Sequence, residues 1–192
     1  MSSITCFAPG RVELLGNYTD FNEGFALSAS LPYSIRVTGS LRDDGIINLS
    51  TQMDGSMYHE VSVDALFERS GEWHDYPLGV VAALREAGIT IGGFTAEFVA
   101  DLPPGAGLSS SAAMEVSTIM LLEKLHGIAL PGIEQAKLCR RVENEFVGVE
   151  CGILDQVSSL FGKRDHAKVL KCDLADGALI KNGCASQVML PL

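Results

Sequence analysis

A carboxylate and an arginine far apart in the sequence are the first candidates for catalytic chemistry. Asp155 is predicted to lie in the first turn of a helix, where it could act as a base that takes a proton from a hydroxyl group. Arg11 follows a Pro-Gly turn, from which a guanidinium can point into a cleft. An arginine close to Asp155 would favour the ionised carboxylate. Each residue also has a simpler interpretation, because a helix dipole favours a carboxylate in the first turn and most arginines are solvated.

A second carboxylate, Glu143, is predicted in the last turn of another helix. The carbonyl dipoles at that end make a negative charge unfavourable unless a cation is present. A bound Mg²⁺ would supply the cation, with water and phosphate oxygens completing its octahedral coordination. A solvated surface glutamate is the alternative, and both interpretations stay open at this point.

A Pro/Gly loop that leads into a helix ends in three consecutive serines. Residues 105–111 read GAGLSSS. Gly105 and Gly107 let the backbone approach a ligand closely, and the N-terminus of the helix attracts anions. The loop lacks the lysine of a P-loop and the third glycine of a dinucleotide-binding fingerprint. It indicates a phosphate site, in which the serines could also ligate Mg²⁺, with a serine-capped buried helix as the alternative.

A polar turn near the N-terminus provides short hydrogen-bonding side chains. Its residues are Asn17, Tyr18, Thr19 and Asp20. Carboxamide and carboxylate groups of this kind can bind the vicinal hydroxyls of a sugar. They could equally satisfy their own backbone through Asx-turns.

Strands and helices that alternate along the chain must position these residues. Period-2 alternation predicts strands at 4–7, 25–30, 33–40, 46–50, 94–101, 168–172 and 178–180, with residues 8–10 interrupting the first. Helical periodicity and capping predict helices at 65–69, 75–87, 108–126, 131–146 and 153–161. We expect one mixed α/β domain over residues 1–192, in which the phosphate loop joins a strand to a helix.

Composition excludes several classes of protein. The 192 residues are 47% hydrophobic and 20% charged, as in ordinary globular proteins, and the net charge of −10 argues against a nucleic-acid partner. Five cysteines without a C-x-x-C pair suit reduced thiols. No apolar run reaches the ~18 residues of a membrane span, and Met1 begins no signal sequence. We therefore expect a cytoplasmic protein with no membrane partner, and the sequence does not indicate its oligomeric state.

Four motifs, in this order, resemble those of the galactokinases within the GHMP family of small-molecule kinases. They are PGRVELLGNYTDFNEG at 9–24, WHDYPLGV at 73–80, LPPGAGLSSSAA at 102–113, and ENEFVG at 143–148 with CGILDQ at 151–156. Together they are highly specific and cover nearly the whole chain. The resemblance implies an α/β fold of the α+β type, a mixed sheet flanked by helices that is similar to the ribosomal protein S5 domain 2-like fold.

The same resemblance implies a kinase that uses ATP to phosphorylate the anomeric hydroxyl of galactose. Asp155 would be the catalytic base, Arg11 would stabilise the transition state, and Ser111 and Glu143 would ligate Mg²⁺. The residues that would hold the ATP phosphates are Gly105, Ala106, Gly107, Leu108, Ser109, Ser110 and Ser111, with Trp73 near the adenine. Those that would bind the sugar are Asn17, Tyr18, Thr19, Asp20 and Gly152.

One departure from the family concerns the sugar. Galactokinases usually carry Gly-Glu-His-Thr-Asp where this chain has Gly-Asn-Tyr-Thr-Asp at 16–20. Loss of a charged hydrogen-bond partner can cost ~1.5–3 kcal/mol, so N-acetylgalactosamine or another hexose is an alternative substrate.

The other departure concerns length. Family members are longer, and a C-terminal domain with a third glycine-rich motif has no counterpart here. We expect an N-terminal half with a galactose-binding segment at about 1–40 and a phosphate-binding segment at about 94–127, inactive when isolated. An alternative from another class is a non-catalytic sensor of sugar and ATP. Retention of the candidate base Asp155 favours the enzyme, because a sensor needs no base.

Overall fold

A computed structural model of the chain describes residues 2–17, 19, 24–53, 55–103, 106–171 and 188–191. Its strands are β1 (Ile4–Leu15), β2 (Phe25–Leu41), β3 (Ile46–Thr51), β4 (Met57–Ser62), β5 (Phe94–Ala100), β6 (His166–Lys171) and β7 (Val188–Pro191). Its helices are α1 (Asp75–Glu86), α2 (Ser110–His126), α3 (Gly132–Arg141) and α4 (Leu154–Phe161), and a π-helical turn (Val142–Val147) continues α3.

The sheet is organised around β2, its longest strand at 17 residues. β1 pairs antiparallel with both halves of β2, whereas β5 pairs with residues 35–41 and β6 with residues 25–29. β3 runs parallel to β5 and forms an antiparallel pair with β4. The strand order is β4-β3-β5-β2-β6-β7, with β1 paired to β2. This mixed sheet with flanking helices confirms the predicted fold class.

The first strand does not stop at residues 8–10, contrary to the prediction. β1 continues to Leu15, with a shift of register between Pro9 and Arg11. Proline is tolerated in strands at an edge or a bulge, and β1 pairs with β2 alone among the described strands. A Cβ atom on Gly10 would lie 2.5 Å from Leu102 Cδ2 and 2.7 Å from the carbonyl oxygen of Leu108. The close approach of β1 to the loop before α2 therefore requires glycine.

The helix α2 is the centre of the layer that covers the sheet. It packs against β1 and β2 on one side and against α1, α3 and α4 on the others, so most of its residues are buried. The hydroxyls of Ser117 and Thr118 donate to the Met114 carbonyl at 2.9 and 2.7 Å, which satisfies them within the helix. A helix enclosed in this way has almost no solvent face, so a charged residue in its middle is buried as well.

The predicted helix at 65–69 is wrong. Arg85 of α1 donates from Nη1 to the carbonyls of Val63 and Ala65 at 2.8 and 3.2 Å, and its guanidinium lies 5.5 Å from the centroid of the Phe67 ring. These contacts hold the segment against α1 through carbonyl groups. A helix of this length would be too short to outweigh them.

The other differences concern strands and thiols. The two strands predicted at 25–30 and 33–40 are the single strand β2, while the strand predicted at 178–180 lies outside the described residues. Within the described part of the chain, Cys6, Cys139 and Cys151 are free thiols.

Among the described residues, the helices are all too short or too polar to cross a membrane.

Replacing Gly10 with alanine is expected to lower the free energy of unfolding by about 1–3 kcal/mol, because the added methyl group meets a backbone carbonyl oxygen in a packed region. Urea denaturation measures the change. Gly92→Ala is the matched control, since the nearest atom to its added Cβ, His126 Nε2, lies at an ordinary 3.8 Å. Equal stability of the two variants would contradict the tight contact between β1 and the loop.

Candidate active site

The loop between β5 and α2 ends in two left-handed backbone conformations. Gly107 has a φ of 67°, and Ser109 has a φ of 57° with a ψ of 49°. This conformation is easy for glycine but costs about 1–2 kcal/mol for a residue with a Cβ atom. Within the predicted phosphate site, the exposed residues are Ala106, Gly107 and Ser110, and the half-buried ones are Leu108, Ser109 and Ser111. The N-terminus of α2 is therefore open to an anionic ligand.

Arg11 ties this loop to the first strand and to α4. Its backbone N–H donates to the Leu108 carbonyl at 3.1 Å, and its Nη1 donates to the Gly107 carbonyl at 2.9 Å. Its Nε and Nη2 lie 2.8 and 2.7 Å from Oδ1 of Asp155. The candidate base and the candidate guanidinium, 144 residues apart in the sequence, are thus in direct contact.

The Asp155 carboxylate is held at both of its oxygens. Oδ1 faces Arg11, and the hydroxyl of Ser109 donates to Oδ2. The Asp155 side chain remains 24% exposed, so a ligand in the cleft can reach it. A carboxylate that is paired, oriented and accessible can take a proton from a hydroxyl group.

Glu143 lies in the π-helical turn, not in the last turn of an α-helix as predicted. Such turns hold one residue more than an α-helical turn and are frequent at functional sites. The side chain is only 4% exposed, which excludes a solvated surface glutamate. Its Oε2 accepts from Cys151 Sγ at 2.8 Å and from Gln156 Nε2 at 3.3 Å. Burial and the charge of Glu143 raise the pKa of Cys151, so the thiol stays protonated and can donate.

Glu115 on α2 is a buried acid that the sequence analysis missed. It is fully buried, and among the described residues neither of its carboxylate oxygens has a hydrogen-bond partner. The Oε1 atom of Gln156 is in the same situation. Burial, and then the charge of Glu143, raise the pKa of Glu115 well above its usual value. The available signal was a glutamate inside the small and apolar run AAMEV at 112–116.

The acidic interior beside the loop suits a divalent cation. Ser111 and Glu115 lie one turn apart on the same face of α2, and Glu115 is close enough to Glu143 to be affected by its charge. All of these groups offer oxygen atoms, the ligands that Mg²⁺ prefers. In the described part of the chain, no three His, Cys, Asp or Glu side chains are grouped so as to hold a metal. Phosphate oxygens and water would therefore have to complete the coordination of an ion held by Ser111 and Glu143.

The polar turn is closed by Thr19. Its hydroxyl lies 2.6 Å from the Gly16 carbonyl oxygen and 2.7 Å from that of Phe25. Gly16 has a φ of 100°, and a Cβ atom there would lie 2.4 Å from the Phe25 carbonyl oxygen, so the turn requires glycine. Asn17 is exposed. Three predicted site residues lie outside the described residues, and their roles stay predictions: Tyr18, Asp20 and Gly105.

Trp73 and Gly152 flank the other parts of the site. Trp73 precedes α1, is half-buried and packs edge-on against Phe98 of β5, with 6.1 Å between ring centroids. Because β5 leads into the phosphate loop, the Trp73 indole lies beside the strand that positions this loop. Gly152 is buried just before α4. Adenine binding by Trp73 and sugar binding beside Gly152 stay predictions.

Two family models match the chain. The galactokinase galactose-binding signature matches residues 2–41, and the N-terminal domain of GHMP kinases matches residues 75–163. The chain is 41% identical over 167 residues to a galactokinase of Roseiflexus sp. (strain RS-1) and 41% identical over 165 residues to one of Halalkalibacterium halodurans. These alignments cover 86% and 85% of this chain but only 42% of each relative.

A solved structure extends the similarity to the fold. The Lactococcus lactis galactokinase complexed with galactose has a TM-score of 0.84 and 29% identity, over 99% of this chain and 47% of that chain. The chain thus spans less than half the length of the galactokinases it matches.

Glu115→Gln is expected to raise the free energy of unfolding at pH 7 without Mg²⁺ by about 1–3 kcal/mol, because an unpaired buried acid is replaced by a neutral amide that can donate. Because folding raises the pKa of Glu115, the folded wild type binds more protons than the unfolded chain above pH 4.5. Its stability therefore falls as the pH rises from the pKa of Glu115 in the unfolded chain to its pKa in the folded protein. Urea denaturation at several pH values measures both effects.

The Glu115→Gln variant should lose the part of the pH dependence of stability that comes from the Glu115 carboxyl group. Glu97→Gln, an exposed substitution on β5, is the control and should behave as the wild type. A pH dependence that is identical in all three proteins would show that folding does not raise the pKa of Glu115.

Proposed function

Because the chain belongs to the GHMP kinase family, we propose that it is the N-terminal region of a galactokinase. Within the complete protein, it would transfer the γ-phosphoryl group of ATP to the anomeric hydroxyl of galactose, giving galactose 1-phosphate. The observation that supports this most strongly is the Arg11–Asp155 pair beside an open helix N-terminus. The match to the galactose-binding signature supports the choice of sugar.

The phosphate loop and the acidic interior divide the binding of the nucleotide between them. The N-terminus of α2, with Ser110, would hold the phosphate oxygens of ATP. Ser111 and Glu143 would hold Mg²⁺, which when bound neutralises charge on the phosphates. Fixed oxygen ligands and backbone N–H groups are suited to this task because phosphoryl transfer depends mainly on positioning and electrostatics.

The proposed step uses Asp155 as the base. The sugar oxygen bonds to the γ-phosphorus while the bond from that phosphorus to the β–γ bridging oxygen breaks, and ADP leaves with the bonding electrons. The hydroxyl proton passes to a free lone pair on Oδ2 of Asp155. Arg11 contacts Oδ1 and two loop carbonyls, so it holds the carboxylate beside the loop that would bind the phosphates.

Two other functions are kept as alternatives. Asn17 and Tyr18 stand where galactokinases usually have Glu and His, so the sugar could be N-acetylgalactosamine or another hexose. A non-catalytic sensor of sugar and ATP would need no base, and the Arg11–Asp155 pair therefore favours the enzyme. Since the chain covers 42% of its galactokinase relatives, we expect residues 1–192 alone to release little ADP.

Asp155→Asn in the full-length protein is expected to lower galactose-dependent ADP release by about 100-fold or more, because the isosteric amide cannot accept the proton. A coupled ADP assay measures turnover. Asp165→Asn, which changes an exposed carboxylate, is the control and should keep wild-type activity. A wild-type protein that binds galactose and ATP but releases no ADP would support the sensor instead.

The double substitution Asn17→Glu/Tyr18→His is expected to raise kcat/KM on galactose by about 10- to 100-fold, since it restores a charged hydrogen-bond partner for the sugar. The assay is a panel of hexoses, including N-acetylgalactosamine, with wild-type and variant full-length proteins. If the variant gains nothing on galactose, the altered turn does not determine specificity.

A further inference from the structure

Ser109 occupies the N-cap position of α2, yet its side chain does not cap the helix. An N-cap serine normally has an extended backbone and accepts a hydrogen bond from the second or third N–H of the helix. Ser109 instead has a left-handed backbone and makes no capping hydrogen bond. Within the described chain, Ser109 and Asp165 are the only residues other than glycine with a positive φ. A disfavoured conformation is retained only where the surrounding structure fixes it, and it often marks a functional site.

The hydroxyl that this backbone conformation directs away from the helix contacts the base. It donates to Oδ2 of Asp155, while Nη2 of Arg11 holds Oδ1 at 2.7 Å. The ion pair holds Oδ1 but leaves Oδ2 without a protein donor of its own. The Ser109 hydroxyl supplies a donor to Oδ2, so that the orientation of the carboxylate is restrained at both oxygens.

The two donors come from different parts of the fold. Arg11 belongs to β1, whereas Ser109 is the last residue of the phosphate loop. Arg11 connects Asp155 to the sheet and, through the carbonyls of Gly107 and Leu108, indirectly to the loop. Ser109 adds a direct contact between the loop and the Asp155 carboxylate. Ser110 and Ser111 are the first two residues of α2 and remain the serines assigned to phosphate and Mg²⁺ in the proposed function.

We propose that Ser109 is a positioning residue whose hydroxyl fixes the Asp155 carboxylate relative to the loop that would hold the ATP phosphates. This inference rests on the proposed function. It assigns Ser109 a task beyond phosphate binding, because one side chain then sets the geometry between the proton acceptor and the phosphoryl donor. In such a geometry a small misplacement lowers turnover more than it lowers binding.

A matched pair of variants separates this role from a structural one. Ser109→Ala and Ser109→Gly both remove the hydroxyl, but glycine also relieves the left-handed backbone. In the full-length protein, we expect both to lower kcat by about 10-fold or more, with KM for galactose and for ATP unchanged within about twofold. The midpoint of thermal unfolding should nevertheless be higher for Ser109→Gly than for Ser109→Ala.

Asp165 provides the control, since it has a φ of 59° and lies exposed. Asp165→Ala and Asp165→Gly should reproduce the stability difference and leave kcat unchanged. If Ser109→Gly keeps the wild-type kcat while Ser109→Ala loses it, the residue has only a backbone role and the proposal is overturned. A rise in KM for ATP at constant kcat would also overturn it, because the hydroxyl would then be a phosphate ligand.

A further measurement distinguishes this proposal from the proposed function. In a double-mutant cycle of Ser109→Ala and Asp155→Asn, the free energies of unfolding should be non-additive if the two side chains interact. Additivity would rule out the contact and overturn the positioning role, whatever the activity. If the cycle is non-additive but the wild-type protein phosphorylates no hexose, the contact between Ser109 and Asp155 is retained. The kinase function is then refuted, and the positioning role of Ser109 in catalysis with it.

Discussion

The guanidinium of Arg11 is the interaction on which the candidate site depends, because it joins three parts of the chain that are remote in sequence. It contacts the Asp155 carboxylate on α4 and the Gly107 carbonyl in the phosphate loop, while its own backbone belongs to β1. Arginine suits this position since its planar fork can serve several acceptors at once and stays charged. The register shift in β1 and the absence of a side chain at Gly10 let the strand approach the loop closely enough for these contacts.

Two acidic regions of the site have opposite electrostatic environments. Around Asp155, the charge is compensated within the protein by Arg11 and the hydroxyl of Ser109. Glu115 and Glu143 are both buried. Among the described residues, the Glu115 oxygens have no hydrogen-bond partner, and the donors to Glu143 are a thiol and an amide, neither of them cationic. The first arrangement fixes the orientation of one carboxylate, and the second offers oxygen atoms of the kind that bind a cation from solution. The difference follows from which neighbours each carboxylate has.

The helix α2 connects these two regions. Its N-terminus meets the loop and Ser109, and Glu115 lies one turn farther along, facing the π-helical turn that carries Glu143. Burial on nearly all sides makes this helix a rigid support, with its polar residues satisfied internally where they can be. A site built on such an element is positioned more accurately than one built on mobile loops alone.

The sequence by itself determined the fold class, the existence of most elements and the types of the chemically important residues. Alternation identified β5, and apolar periodicity identified α1 and α2. The resemblance of four motifs to those of the galactokinases indicated a kinase family. Glu143 could be singled out because a carboxylate is unfavourable in the last turn of a helix. Asp155, Arg11 and the serine run could be singled out because their residue types suit a base, a cationic partner and an anion site. These are properties of short segments, which local propensity and pattern can determine.

The tertiary structure alone decided how these segments meet. The Arg11–Asp155 contact spans 144 residues, and no local pattern encodes such a distance. The failed helix at 65–69 is explained by Arg85 from another element, and the burial of Glu115 by the strands and helices packed around α2. The same holds for Ser109, whose residue type suggested a helix cap and whose hydroxyl contacts Asp155 instead. Sequence patterns describe a residue's own segment, whereas the charge balance and the geometry of the site come from the segments that fold against it.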